Sequence, residues 1–172
     1  MKPEALPQDL AAALGLPNLA FDAEGRARLI YEGKVDIELA LDAEAGELHL
    51  TTDLAEMPSA DGEALYIGLL QANLRGQQTL GATLAVDEAA HMIVLNRTVM
   101  TSELAAGDLL DLVQRFCASA MYWTTTLAAT MPAEKNIDLP SLFAAAMAGA
   151  AEEGPAAAGG AQAPGFPAYV RG

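Results

Sequence analysis

The first half of the chain changes from a helical to an alternating pattern of apolar residues. Residues 4–14 carry apolar side chains at helical spacing, and Gly15 and Pro17 then supply a normal stop signal, which predicts a short helix. In the next part of the chain, apolar and polar residues alternate between short turns. Runs this close together predict an antiparallel meander with one buried face, with strands over 26–31, 35–41 and 47–53.

The segment 62–74 predicts a helix that is apolar over more than half of its circumference. One stripe contains Leu65, Leu69 and Ala72, and a second stripe lies beside it. The second stripe consists of Tyr66, Leu70 and Leu74, and Ile67 widens it. Because one sheet cannot cover so broad an apolar surface, we expect a second copy of the chain to bury the excess. Burial wholly within one chain is the alternative.

Two more strands are predicted over 80–86 and 91–97. A long helix then begins near Thr101 or Ser102 and ends at Pro132. Its apolar stripe consists of Leu109, Leu112, Val113, Phe116, Ala120, Trp123 and Leu127. The element order α-β-β-β-α-β-β-α indicates an α+β fold of two layers, in which three main helices cover a five-stranded antiparallel sheet.

The composition changes after this helix and divides the chain in two. Residues 1–135 are predicted to form one domain, and residues 136–172 an extension rich in Ala, Gly and Pro. A short helix is expected over 139–151. From residue 154 onward the segment carries too few large apolar side chains to order itself, so we expect a flexible tail.

The charge balance narrows the range of partners. Acidic residues outnumber basic ones 23 to 9, and the net charge is −14, so neither nucleic acid nor an anionic membrane is an expected partner. The single cysteine, Cys117, excludes an intramolecular disulfide, and the first residues lack the pattern of a signal peptide. These features favour a cytoplasmic protein.

Candidate catalytic groups are few and scattered. His49 and His91 fall in predicted strands and Cys117 on the apolar side of the last helix, with no spacing typical of metal ligands. Asp36 and Glu38 share a strand face, and a solvated surface explains them better than acid–base chemistry does. We therefore expect no catalytic, cofactor-binding or metal site, and no cofactor.

Four segments resemble the class I effector chaperones of type III secretion, the Tir chaperone family. They are Leu14–Gly25, with a Leu-Gly-Leu-Pro stretch and an Asp-x-x-Gly turn, Leu69–Leu74, Thr83–Asp87 and Phe116–Trp123. Their order agrees with the family over roughly residues 4–131. The extension after Pro132 departs from it and could be a disordered tail, a self-covering arm or a contact for another secretion component.

The resemblance implies a homodimeric secretion chaperone with the α+β fold. Such a chaperone binds the extended N-terminal segment of an effector and keeps it soluble, partly unfolded and competent for export. The implied partners are the effector, a second copy of the chain and the secretion ATPase. The implied client-binding residues are Leu10, Leu14, Leu16, Phe21, Leu29 and Ile37. The implied dimer interface contains Leu65, Leu69, Leu70 and Leu74.

Two other functions stay open at this stage. A regulatory protein of the secretion system could use the same fold to bind an anti-activator or an export component instead of an effector. An enzyme of unrecognised type would need a turnover that is lost when His49, His91 or Cys117 is replaced.

Overall fold

The computed structural model describes residues 1–59, 62–130 and 168–170, and it confirms the predicted α+β order. Short 3₁₀ turns precede α1, follow α2 and precede α3. The helices are α1 (Leu6–Leu14), α2 (Glu63–Asn73) and α3 (Asp108–Thr130). The strands are β1 (Arg26–Tyr31), β2 (Val35–Asp42), β3 (Glu47–Glu56), β4 (Thr83–Asp87), β5 (Met92–Met100) and β6 (Ala168–Val170).

All paired strands are antiparallel, and their order across the sheet is β4-β5-β3-β2-β1-β6. The strands β1 to β3 form the predicted meander, with Leu29 opposite Ile37 and Leu39 opposite Leu50. The five predicted strands are therefore present, and β6 adds a sixth at the outer edge of β1.

The hydrophobic core lies on one face of the sheet. Strands β1 and β2 bury alternate residues, as their sequence pattern predicts, and α3 packs against β2 and β3 while α1 packs against α3. The largest buried side chain, Trp123 of α3, is fully inside, and its indole N–H donates to the carbonyl of Gln78 at 3.1 Å. The core thus joins α3 to the loop before β4.

The opposite face of the sheet is polar. Arg28 pairs with Asp36 at 3.0 Å across β1 and β2, and His49 shares a 2.9 Å hydrogen bond with Thr98 across β3 and β5. These groups are partly exposed and contribute little to stability individually. Within the described part of the chain, this polar, partly exposed face agrees with the one-sided burial that the alternation of residues predicts.

Three elements begin later than their sequence patterns suggested. Helix α3 begins at Asp108, whose carboxylate accepts from the Ala105 N–H at 3.0 Å, and Thr101–Glu103 forms a separate 3₁₀ turn. Leu80 and His91 both have positive φ, 51° and 57°, so neither residue has the extended backbone of a strand. Strands β4 and β5 therefore begin at Thr83 and Met92.

The C-terminal region is described only at Ala168–Val170, which form β6. The flexible tail expected from residue 154 therefore does not include these three residues, because the outer edge of β1 offers them backbone partners. The helix expected over 139–151 lies outside the described residues.

Candidate protein-binding surfaces

The Leu-Gly-Leu-Pro stretch closes α1 with a Schellman motif. Gly15 is left-handed, with φ of 65°, and its N–H donates to the carbonyl of Ala12 at 3.2 Å. The N–H of Leu16 donates to the carbonyl of Ala11 at 2.9 Å. This pair of bonds turns the chain sharply and fixes Leu16 against the end of α1, half-buried on the core.

The Asp-x-x-Gly turn fixes the chain just after Phe21. One carboxylate oxygen of Asp22 accepts from the N–H groups of Glu24, at 3.0 Å, and Arg26, at 2.7 Å. Gly25 has φ of 75°, and a Cβ there would stand 2.5 Å from the carbonyl oxygen of Leu41. Glycine is therefore required both by conformation and by the close approach of β2. Phe21, held at the start of this turn, is half-buried.

The six predicted client-binding residues divide into two groups. Leu16 and Phe21 are partly exposed and lie on the loop between α1 and β1. The other four are at most 1% exposed and form part of the core: Leu10, Leu14, Leu29 and Ile37. In this conformation only the first two can contact a partner directly. We refer to them as the Leu16–Phe21 surface.

A shallow open groove runs beside the end of α1. Its lining is mostly apolar and consists of small or uncharged residues from α1 and the Schellman turn. These residues are Gln8, Ala11, Ala12, Gly15 and Pro17. An extended segment placing one apolar side chain here would approach Leu16, which the Schellman motif holds next to Gly15.

The predicted dimer residues also divide. Leu70 and Leu74 are 71% and 72% exposed, whereas Leu69 is 4% exposed and packs inside the chain, with Leu65 half-buried. Ile67, which sequence analysis assigned only a secondary place, is 49% exposed. Its spacing of three residues from Leu70 puts these two on one face of α2, and Leu74, seven residues away, caps the helix at the end of that face. We call Ile67, Leu70 and Leu74 the α2 stripe.

Two further apolar residues lie close to α2 in the chain and the fold. Leu80, in the loop before β4, is 43% exposed, and Val86 of β4 is 42% exposed. Strand β4 packs beside α2, so Val86 lies on a strand adjacent to the helix. Both residues fall in the strand predicted over 80–86, and the sequence does not distinguish them from buried residues, because apolar strand residues are usually buried.

The side chain of Asn73 joins α2 to β4. Its amide N–H donates to the carbonyl of Leu84 and its amide oxygen accepts from the Leu84 N–H, both at 2.9 Å. An asparagine side chain thus takes the place of a neighbouring strand at the second residue of β4. This gives a physical reason for the asparagine in the Leu69–Leu74 segment.

The groups with potential for chemistry lie apart. Cys117 is buried in α3, and burial raises the pKa of its thiol to about 12, so the thiolate is disfavoured. His91 is exposed in the turn before β5, and His49 is on the polar sheet face, where Glu47 lies 3.4 Å from its Nε2. Across residues 1–59 and 62–130, no three His, Cys, Asp or Glu side chains group as metal ligands would. In the same part of the chain, no helix is long and apolar enough to cross a membrane.

The comparisons with known proteins agree on one family. The sequence profile of the Tir chaperone protein (CesT) family matches residues 6–124, from α1 through most of α3, so the chain belongs to that family. A protein of Chlamydia pneumoniae, CPj0713/CpB0740, is 26% identical over 126 residues, which cover 72% of this chain and 95% of that protein.

Solved structures share the fold. A chain of the HopA1–SchA chaperone–effector complex matches with a TM-score of 0.54 and 20% identity, covering 71% of this chain and 89% of that chain. A chain of the Yersinia pestis type III secretion chaperone SycH, in complex with a stable fragment of YscM2, matches with a TM-score of 0.56 and 17% identity, covering 70% and 98%.

Proposed function

We propose that the protein is a type III secretion chaperone that binds an extended N-terminal segment of one or more effectors in the bacterial cytoplasm. The observation that carries the proposal is membership of the Tir chaperone family over residues 6–124. The likeness in fold to a chain of a chaperone–effector complex supports it. Binding would cover apolar parts of the effector and keep them from aggregating before export.

The Leu16–Phe21 surface is the proposed contact for the client. Both residues are held by local hydrogen-bond networks, the Schellman motif and the Asp22 turn, so little side-chain and loop entropy is lost on binding. The four buried residues predicted for this site belong to the core against which Leu16 and Phe21 pack. A non-enzymatic role fits the geometry, since the buried thiol of Cys117 is a poor nucleophile.

Capture from the native bacterium tests the client-binding proposal. The tagged chain should retain a protein that the type III system exports, through that protein's N-terminal segment. Phe21→Ala should then weaken the measured affinity about tenfold, roughly 1.4 kcal/mol, because an aromatic anchor is lost. Tyr122→Ala is the matched control, since Tyr122 is an equally half-buried aromatic residue on α3. Equal affinities for the two variants would exclude the Leu16–Phe21 surface, and retention of a regulator alone would favour the regulatory alternative.

We further propose that the α2 stripe joins two copies of the chain about a two-fold axis. The stripe leaves large apolar side chains exposed, and charges of opposite sign flank it, Glu63 at its start and Arg75 at its end. Two α2 helices that cross antiparallel near Leu70 would bring Glu63 of each copy towards Arg75 of the other. This complementarity favours a second copy over an unrelated partner.

Light scattering tests the dimer. Leu70→Asp should give a folded monomer at micromolar concentration, because an unpaired carboxylate would be buried at the interface. Ala118→Asp adds the same charge at an exposed position of α3 and should leave the dimer intact. A charge reversal at either Glu63 or Arg75 should weaken the dimer, and reversal of both should restore it. A stable dimer of Leu70→Asp would contradict the proposed interface.

A further inference from the structure

The outer edge of the sheet is occupied by the chain's own C-terminal segment. Strand β6 pairs with the second half of β1, with Leu29 opposite Val170, Ile30 opposite Tyr169 and Tyr31 opposite Ala168. Strand β2 pairs with all six residues of β1 on the other side. Among the described residues, Arg26–Arg28 have a strand partner in β2 only. At the start of this edge, the N–H of Arg26 donates to the Asp22 carboxylate at 2.7 Å and its carbonyl accepts from the Asp22 N–H at 2.8 Å.

The opposite edge of the sheet is less suited to receive a strand. Both outward backbone groups of Leu84, the second residue of β4, are already bonded to the Asn73 amide at 2.9 Å. An added strand would have to break both bonds before it could run along β4. The β1 edge, in contrast, already accepts a strand, β6, so backbone recognition of an extended partner is favoured there.

We propose that the β1 edge is a strand-addition site and that β6 is its internal occupant, which an extended client segment displaces. The identity of the client rests on the function proposed above, whereas the occupancy of the edge by β6 does not. Self-pairing protects an edge strand that would otherwise present unpaired N–H and carbonyl groups to other chains. It also makes the site selective, because a client must compete with a tethered strand.

Two features make β6 displaceable. It pairs only three residues of β1, so few backbone hydrogen bonds hold it in place. It belongs to the same chain, and an intramolecular competitor acts at an effective concentration on the order of millimolar. If β6 fills the edge about nine-tenths of the time, it weakens the apparent affinity for a competing strand about tenfold.

The test uses the full-length chain and its own segment as a probe. In one variant Ala168, Tyr169 and Val170 are all replaced by Pro, which removes every backbone donor of β6. The matched control replaces the same three residues by Thr, which keeps the donors and the preference for extended structure. The probe is a labelled synthetic peptide with the sequence of residues 164–172, and binding is followed through NMR amide shifts.

The proposal predicts three results. Amides within Leu29–Tyr31 exchange hydrogen faster in the proline variant than in the parent and the threonine control. The free peptide binds the proline variant with Kd about 0.1 mM and binds the other two proteins about tenfold more weakly. Peptide binding restores the slow exchange. Equal peptide affinity for all three proteins, no binding to the proline variant, or unchanged exchange at β1 would each overturn the proposal.

These outcomes are separate from those of the client experiment. A chain that captures no exported protein but passes the peptide test keeps its strand-addition site and loses the proposed function. A chain that captures an effector yet shows the same peptide affinity in all three proteins keeps its function, and the β6 proposal is then wrong.

Discussion

Replacing Asn73 by Ala removes the side chain that holds β4 to α2. Two hydrogen bonds of 2.9 Å are lost, and the backbone N–H and carbonyl of Leu84, a residue only 4% exposed, lose their partners. Each such bond contributes about 0.5–1.5 kcal/mol net, and an unsatisfied buried group moves the loss towards the upper end. The free energy of unfolding should therefore fall by about 2 kcal/mol, and the melting temperature by ~4–8 °C.

Urea denaturation measures this loss. The fluorescence of Trp123, the single tryptophan, and the far-UV circular dichroism should change together as the chain unfolds. Parent and variant are compared at one fixed protomer concentration, because self-association raises apparent stability. Asn18→Ala is the control, since Asn18 is exposed in the loop after α1, and it should change stability by less than about 0.5 kcal/mol. If Asn73→Ala cost no more than Asn18→Ala, the amide would not be the link between α2 and β4.

Two further predictions concern stability. Gly25→Ala should destabilise the fold by about 2 kcal/mol more than Gly33→Ala in urea titrations. Both glycines have positive φ, but only a Cβ at Gly25 would approach the carbonyl oxygen of Leu41, at 2.5 Å. Equal losses would exclude the close approach as the cause. Burial raises the pKa of the Cys117 thiol from 9.0 to about 12. The unfolded chain therefore releases this proton at lower pH than the folded chain, and the folded state loses stability as pH rises from about 9 to 12. The difference in unfolding free energy between the parent and Cys117→Ala should shrink over that range, and a constant difference would show that the thiol titrates normally.

Much of the fold could be predicted from local patterns. The alternation in β2 and the stop signal after α1 each correspond to one physical requirement, a half-buried strand and a Schellman turn. The start of α3 was harder, because Thr101 is a good helix-capping residue and instead begins a 3₁₀ turn. Tertiary packing decided this boundary.

The surfaces were predicted less completely than the fold. Sequence analysis recognised that α2 is apolar on two sides, yet Leu69 and Leu70 are neighbours of the same residue type, and only the packed structure shows that the first is inside and the second outside. Likewise Leu10 and Leu29 carry the apolar character of a binding surface but lie in the core. Strand β6 has three residues, too few for a periodic signal, and it depends on the edge that β1 presents.

Export by the native bacterium tests the proposed function most directly. The gene for this chain is deleted, and the proteins released through the type III system are compared with those of the parent strain and of a strain carrying the restored gene. The protein captured by the tagged chain should disappear from the medium on deletion and return on restoration. Undiminished export of that protein in the deletion strain would contradict the proposal that this chain is its secretion chaperone.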